Sequence, residues 1–118
     1  MYYTGLHARE HIALASGAFW LYDLLMNPES YGKDFNFHLL TVANPDGYVH
    51  SKTEDKMWRK NRKPIGSNSK CFGVDLNRNF GFKHGVSGTE MKNSCEENYS
   101  SKPFSEHESK GAKMLVRF

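Results

Sequence analysis

No run of about 18 apolar residues occurs in this 118-residue sequence, so it offers no membrane-spanning segment. It does not open on a signal peptide either. Met1 is followed at once by Tyr-Tyr-Thr, without a charged region or a long apolar stretch. Charge of one sign is not in large excess. Sixteen basic and 13 acidic residues leave a net charge of +3, too little to imply a strong field or a nucleic-acid partner. Internal repeats are absent. Cysteine is scarce, and Cys71 and Cys95 form the only possible intrachain pair. In an oxidising compartment that pair closes a loop of roughly 25 residues, contributing about 3–4 kcal/mol in the chain-entropy model. In a reducing one they are two buried thiols. What is present is ordinary for a globular chain: 38% hydrophobic and 25% charged, enough for one domain with a modest core. Asn98-Tyr99-Ser100 is an N-glycosylation sequon, a slight pointer toward secretion.

Met1 to Thr4 reads as the end of a short strand stopped by Gly5. From His11 to Met26, Ile12, Ala15, Phe19, Tyr22 and Met26 recur at spacings of three and four. Leu14, Ala18, Leu21 and Leu25 repeat the pattern one step round, which predicts a well-buried helix with a broad apolar face. Asn27-Pro28 ends it, and "ESYGKDFN" is a polar loop. Phe37 to Ala43, "FHLLTVA", has strand composition and length. "NPDG", Asn44 to Gly47, reads as a turn, with Pro45 presetting φ and Gly47 tolerating positive φ. Ser51 to Ser69 is polar, basic and loop-like, and Cys71 to Leu76 is a candidate short strand. Phe80 to Lys102 shows little periodicity. Ser105 and Glu108 fit a capping box, predicting a helix from Glu106 to about Arg117 that buries Ala112, Leu115 and Val116. Strand, helix, strand, then loops and a helix imply an α/β sheet with crossovers.

Three stretches carry chemistry. "TGLHAREHIA", Thr4 to Ala13, crowds His7, Arg9, Glu10 and His11 between a strand and a helix. Strand ends leading into helices are where α/β sheets place ligands. An imidazole and a carboxylate on such a bend, His7 and Glu10, can converge on one Zn²⁺, or can stand exposed on a loop. "KMWRKNRK", Lys56 to Lys63, is a solvated basic face, a phosphate-binding run with one stacking Trp, or the seat of an arginine aimed at a developing oxyanion. "DLNRNFGF", Asp75 to Phe82, places Asn77 and Arg78 after a candidate strand, and arginine is suited to bidentate capture of a carboxylate. The structural alternative is that Asp75 and Asn79 are turn formers and Arg78 a surface residue.

In this order, "GLHAREHI", "NPDGY", "MWRKNR", "CFGVDLNRNF" and "PFSEHES" resemble the carboxypeptidase A-like zinc metallocarboxypeptidases over nearly the whole chain. The resemblance implies a partial mixed sheet with flanking helices, truncated at both ends, and one partial peptidase domain over residues 1–118. It implies that His7 and Glu10 are two of three protein ligands to Zn²⁺. It makes Arg9 part of a subsidiary substrate subsite and Arg59 the catalytic group that polarises the scissile carbonyl and stabilises the oxyanion. Asn77 and Arg78 grip the free C-terminal carboxylate of a peptide or protein substrate. It favours a Cys71–Cys95 disulfide and an extracellular, secreted protein.

In the family a third zinc-ligating His, a general-base Glu, a Tyr closing over substrate and the residues setting side-chain preference come later, at positions expected beyond Phe118. His84 and His107 do not sit in the third-ligand context, His11 stands where many relatives have Trp, and His38 and His50 read as structural. Earlier strands, a signal sequence and any propeptide are expected before Met1. The expectation is thus an internal piece of a metallocarboxypeptidase whose parent is active and which is inactive alone, with an apolar face left uncovered. The rival reading is a non-catalytic product that keeps Arg59, Asn77 and Arg78 as a carboxylate-binding surface. Aspartoacylase-like amidohydrolases share a His-x-x-Glu zinc motif, but the cysteine pair and "WRKNR" favour the peptidase.

Overall fold

The strand begun at the N-terminus is short, and a distant segment completes it. In the computed structural model, which describes residues 1–31, 34–66 and 70–116, β1 is Tyr2–Tyr3 and β2 is Leu39–Leu40. They pair in parallel, Tyr2 opposite Leu39 and Tyr3 opposite Leu40. Tyr2 N–H donates to His38 O (2.9 Å), Thr4 N–H to Leu40 O (3.0 Å) and Ala43 N–H to Thr4 O (2.9 Å). Parallel strands require a crossover, and the helix between them supplies it. The α/β class therefore holds, with one two-stranded sheet among the described residues. Only the centre of the Phe37–Ala43 stretch becomes strand.

Helix α1, His11–Met26, ends as its sequence predicts, with Asn27 N–H bonded to Asp23 O (2.8 Å) just before Pro28. The expected burial does not hold. Gly17 alone is buried, whereas Ile12 (77% exposed), Phe19 (71%) and Leu25 (71%) face outward. One side packs on the sheet: the Trp20 ring lies 4.8 Å from that of Tyr2 and 5.8 Å from that of Phe37. Gly17 sits so close to Thr4 that an added Cβ would lie 2.9 Å from its Oγ1. A helix apolar all round needs cover all round, and the outer face has none among the described residues. A 3-10 turn, Pro28–Tyr31, follows, its Tyr31 hydroxyl donating to Asp23. Gly32 and Lys33 of the expected loop lie outside the described residues.

"NPDG" is not a turn but the start of helix α2, Pro45–Thr53. Asn44 caps it, its Oδ1 accepting from Gly47 N–H at 3.0 Å, and Pro45 occupies the first turn where its missing N–H costs nothing. The residues that favour turns also favour helix starts, and here the helix wins. The loop predicted from Ser51 therefore begins only after Thr53, and its Ser67–Ser69 end is outside the described residues. Cys71 to Leu76 is not a strand: it forms one isolated bridge, Phe72 with Pro64, and Gly73 breaks it with a φ of 80°. A 3-10 turn, Leu76–Arg78, closes it. Asn61 takes the place of a neighbouring strand, with its Oδ1 accepting from Val74 N–H (2.8 Å) and its N–H donating to Val74 O (3.2 Å).

Helix α3 spans His107–Leu115. Ser105 does not cap it; its hydroxyl donates to Glu106 Oε1 (2.7 Å). Asn79, distant in sequence, holds the start of the helix instead: its Oδ1 accepts from Glu106 N–H (3.2 Å) and from the Ser109 hydroxyl (2.6 Å). Ala112 is buried and Leu115 half-buried as expected, but Val116 is 70% exposed and Arg117 lies outside the described residues. The centre of the molecule is strongly polar. Asn44, Asn61, Asp75, Asn79, Ser100, Glu106 and Ser109 are buried beside Ala8, Val74 and Leu76. Among the described residues no buried side-chain polar atom lacks a partner, as such a centre requires.

Candidate metal and substrate site

The bend from β1 to α1 is held from three sides. Ala8 N–H donates to Arg59 O (3.0 Å). Asn44 Nδ2 bridges Leu6 O (3.0 Å) and Lys60 O (3.1 Å), and the Ser51 hydroxyl donates to Ala8 O (3.0 Å). These bonds fix the "HARE" bend against the "WRK" segment. His7 is thereby buried with Glu10 beside it, its Nδ1 2.8 Å from Glu10 Oε1.

The opposite ring nitrogen, Nε2, lies 3.2 Å from Oδ1 of Asp75, which is fully buried. Asp75 also accepts from Asn77 N–H at Oδ1 (2.9 Å), and from Arg59 Nε (3.2 Å) and Nη2 (2.9 Å) at Oδ2. Burial is the largest influence on this carboxyl and would raise it. The bonds from His7 and Arg59, with their charges, outweigh it and hold Asp75 below the usual carboxylate range. An ionised Asp75 secures a proton on Nε2. With that proton in place, Nδ1 and Glu10 Oε1 are two lone pairs facing one another, an arrangement that needs a second proton or a cation between them. The donor set thus fits a metal ion: an imidazole and a carboxylate converging, with the ring held from behind by a carboxylate. No cluster of three or more such ligands is present among the described residues.

Asp75 is the member of this candidate site that sequence reasoning missed, having read it as a turn former. A signal was available: a carboxylate between Val74 and Leu76 is costly to bury unless it is paired.

The remaining expected residues divide. Asn77 lines both a small cavity of about 210 Å³ with His7 and Glu10 and a second of about 360 Å³ with Arg78. Arg78 turns into the second cavity, its Nε donating to Gly88 O (2.7 Å) and its Nη1 to Asn77 O (3.1 Å). Arg9 points elsewhere, donating to both Glu97 oxygens (2.8 and 3.1 Å) and to Met57 O (3.1 Å). The bond from Arg9 also pulls the Glu97 carboxyl below its ordinary range. Nothing in the sequence pairs Glu97 with Arg9. Cys71 and Cys95 are joined, with their Cα atoms 5.0 Å apart. Lys60, buried, ties this loop down by donating to Ser94 O (2.7 Å), and burial lowers its pKa. His84 and His107 are remote from Glu10: His84 Nε2 meets Ser100 Oγ (3.2 Å), and His107 is exposed on α3.

A family model described as "Zinc carboxypeptidase" matches residues 1–117. This chain belongs to the zinc carboxypeptidase family. Among curated relatives it is 40% identical to Zinc carboxypeptidase A 1 of Drosophila melanogaster, over 82% of this chain and 23% of that protein. It is 38% identical to Mast cell carboxypeptidase A of Homo sapiens, over 96% and 28%. Among solved structures, bovine thrombin-activatable fibrinolysis inhibitor in complex with tick carboxypeptidase inhibitor superposes with a TM-score of 0.86 at 35% identity. That match covers 98% of this chain and 39% of the other. Carboxypeptidase A from Helicoverpa armigera gives a TM-score of 0.82 at 33% identity, over 97% and 28%. The chain spans only about a quarter to two fifths of these zinc carboxypeptidases.

Proposed function

We propose that these residues supply the metal-anchoring and carboxylate-gripping part of an extracellular metallocarboxypeptidase that releases C-terminal amino acids from peptides or proteins. The carrying observation is Asp75, which holds His7 and Arg59 through its two oxygens. In this reading His7 and Glu10 hold Zn²⁺, which supplies Lewis acidity for peptide hydrolysis. Asp75 keeps the His7 proton on Nε2 and orients the ring. Arg59, clamped through Nε and Nη2, keeps Nη1 for a carbonyl oxygen that gains charge in the transition state. Asn77 and Arg78 receive the substrate's terminal carboxylate, which an internal peptide bond does not offer. Arg9 belongs to a neighbouring subsite.

Two protein donors do not complete a catalytic zinc site, which ordinarily has three. The 118 residues alone are therefore expected to bind Zn²⁺ weakly and to show no turnover. Equilibrium dialysis of Zn²⁺ against the chain and its His7→Ala variant tests the first half; equal binding by both overturns the assignment. Release of a C-terminal residue from a blocked dipeptide tests the second; zinc-dependent turnover by the chain alone overturns it. The non-catalytic alternative shares the Asn77–Arg78 surface. It is favoured if a C-terminally free peptide binds and neither the chain nor any longer form of it hydrolyses the peptide.

A further inference from the structure

We propose that Asn98 is an N-glycosylation site whose occupancy is decided by competition with closure of the Cys71–Cys95 disulfide. The proposal rests on the extracellular reading above and on none of the peptidase chemistry.

The sequon starts at Asn98, half-buried on a turn three residues after Cys95. Asn98 Nδ2 makes one hydrogen bond, to Gly88 O (3.1 Å), and an amide nitrogen carries two hydrogens. One N–H is therefore free for substitution at the surface. The rest of the sequon is locked inward. Tyr99 is 8% exposed and its carbonyl accepts from Asp75 N–H (2.8 Å). Ser100 is fully buried, its N–H donating to Glu90 O (2.9 Å) and its hydroxyl oxygen meeting Asn79 Nδ2 (3.0 Å) and His84 Nε2 (3.2 Å).

A transferase that reads both the Asn and the hydroxyl needs this segment extended and accessible. In the folded chain the hydroxyl is enclosed, so transfer has to precede folding here. The Cys71–Cys95 bond, next door, draws the segment into place. Early closure suppresses modification and delayed closure permits it. The donor is a lipid-diphosphate-linked oligosaccharide: Nδ2 bonds to its anomeric carbon, the carbon–oxygen bond to phosphate breaks, the lipid diphosphate departs, and the amide proton goes to a base. No redox change is involved. Once attached, the glycan stands beside the Arg78 cavity, because Gly88 O accepts from both Asn98 Nδ2 and Arg78 Nε.

The test is to translate the full chain behind a cleavable signal peptide with endoplasmic-reticulum microsomes, under oxidising conditions and with dithiothreitol. The readout is a mobility shift removed by peptide:N-glycosidase. The expected result is a shift absent from Asn98→Gln, with a larger modified fraction under dithiothreitol and in the Cys71→Ser/Cys95→Ser variant. No glycosidase-sensitive species under either condition overturns the site. Equal occupancy with and without the disulfide overturns the competition. Because the signal peptide is supplied and no peptidase activity is read, failure here is distinct from failure of the proposed function.

Discussion

Replacing Asp75 with Asn keeps the volume and removes the charge on which His7 and Arg59 both rest. Breaking a buried ion pair on one side costs about 3–5 kcal/mol, and the lower end is expected here because 17% of the Arg59 side chain reaches solvent. A carboxylate behind a metal-bound imidazole typically accounts for about 10–100-fold in metal affinity. Asp75→Asn should therefore lower both the urea midpoint and Zn²⁺ affinity, read by competition with a chromophoric chelator. Unchanged zinc affinity would remove Asp75 from the site. Glu106 sets a pH dependence. Burial is the largest influence and would raise its carboxyl, but bonds from Asn61, Ser105 and Lys63, and the Lys63 charge, hold it below the usual range. A carboxylate depressed in the folded state adds stability above its unfolded pKa of about 4.3 and loses it as pH falls through the folded value. The stability gap between the chain and Glu106→Gln should be full at neutral pH and close progressively below about pH 4. Urea midpoints measured across that range check this, and a gap that widens in acid would contradict it.

Among the elements, α2 depends on its cap more than on its exposed charges. Asn44→Ala removes the bond to Gly47 N–H and also the donor shared by Leu6 O and Lys60 O, so a loss of about 2–3 kcal/mol is expected. Asp46→Ala, exposed in the same first turn, should cost under about 1 kcal/mol. Comparable losses from the two would mean that Asn44 acts only as a cap. On α1 the two faces should separate in the same way. Trp20→Ala removes packing on Tyr2 and Phe37 and is expected to cost about 2–3 kcal/mol. Phe19→Ser, on the outer face, should stay within about 0.5 kcal/mol. Denaturant midpoints of the two variants decide it.

At the scale of the whole molecule, the disulfide and the uncovered face oppose each other. The Cys71–Cys95 bridge closes a loop with a sequence separation of 24, and chain entropy assigns such a loop about 3–4 kcal/mol. In a chain of this size Cys71→Ser/Cys95→Ser should lower the melting temperature by about 10 °C or more. Calorimetry of the two forms checks it, and a shift of a degree or two would show that the loop is ordered without the bridge. Tyr2, Tyr3, Ile12, Phe19, Tyr22, Leu25 and Met26 all stand exposed on β1 and α1. Exposed apolar side chains in that number bind apolar dyes and other chains. Phe19→Ser/Leu25→Ser should reduce dye fluorescence and self-association without lowering the melting temperature.

Periodicity placed α1 and its end at Asn27-Pro28, and the order of the motifs pointed to the zinc carboxypeptidase family, because both are written in local spacing and residue type. Local spacing could not choose between turn and helix start at Asn44, since one side chain serves both; the carbonyls of Leu6 and Lys60 that Asn44 also holds decided it. It could not show that Asn79 rather than Ser105 holds the start of α3, or that Asn61 substitutes for a strand beside Val74. His7 and Glu10 are neighbours in sequence, so their convergence was readable. Asp75 lies 68 positions from His7 and 16 from Arg59, and only tertiary packing brings the three together. A buried carboxylate is tolerable only where its partners arrive with it, and which partners arrive is a property of the folded chain.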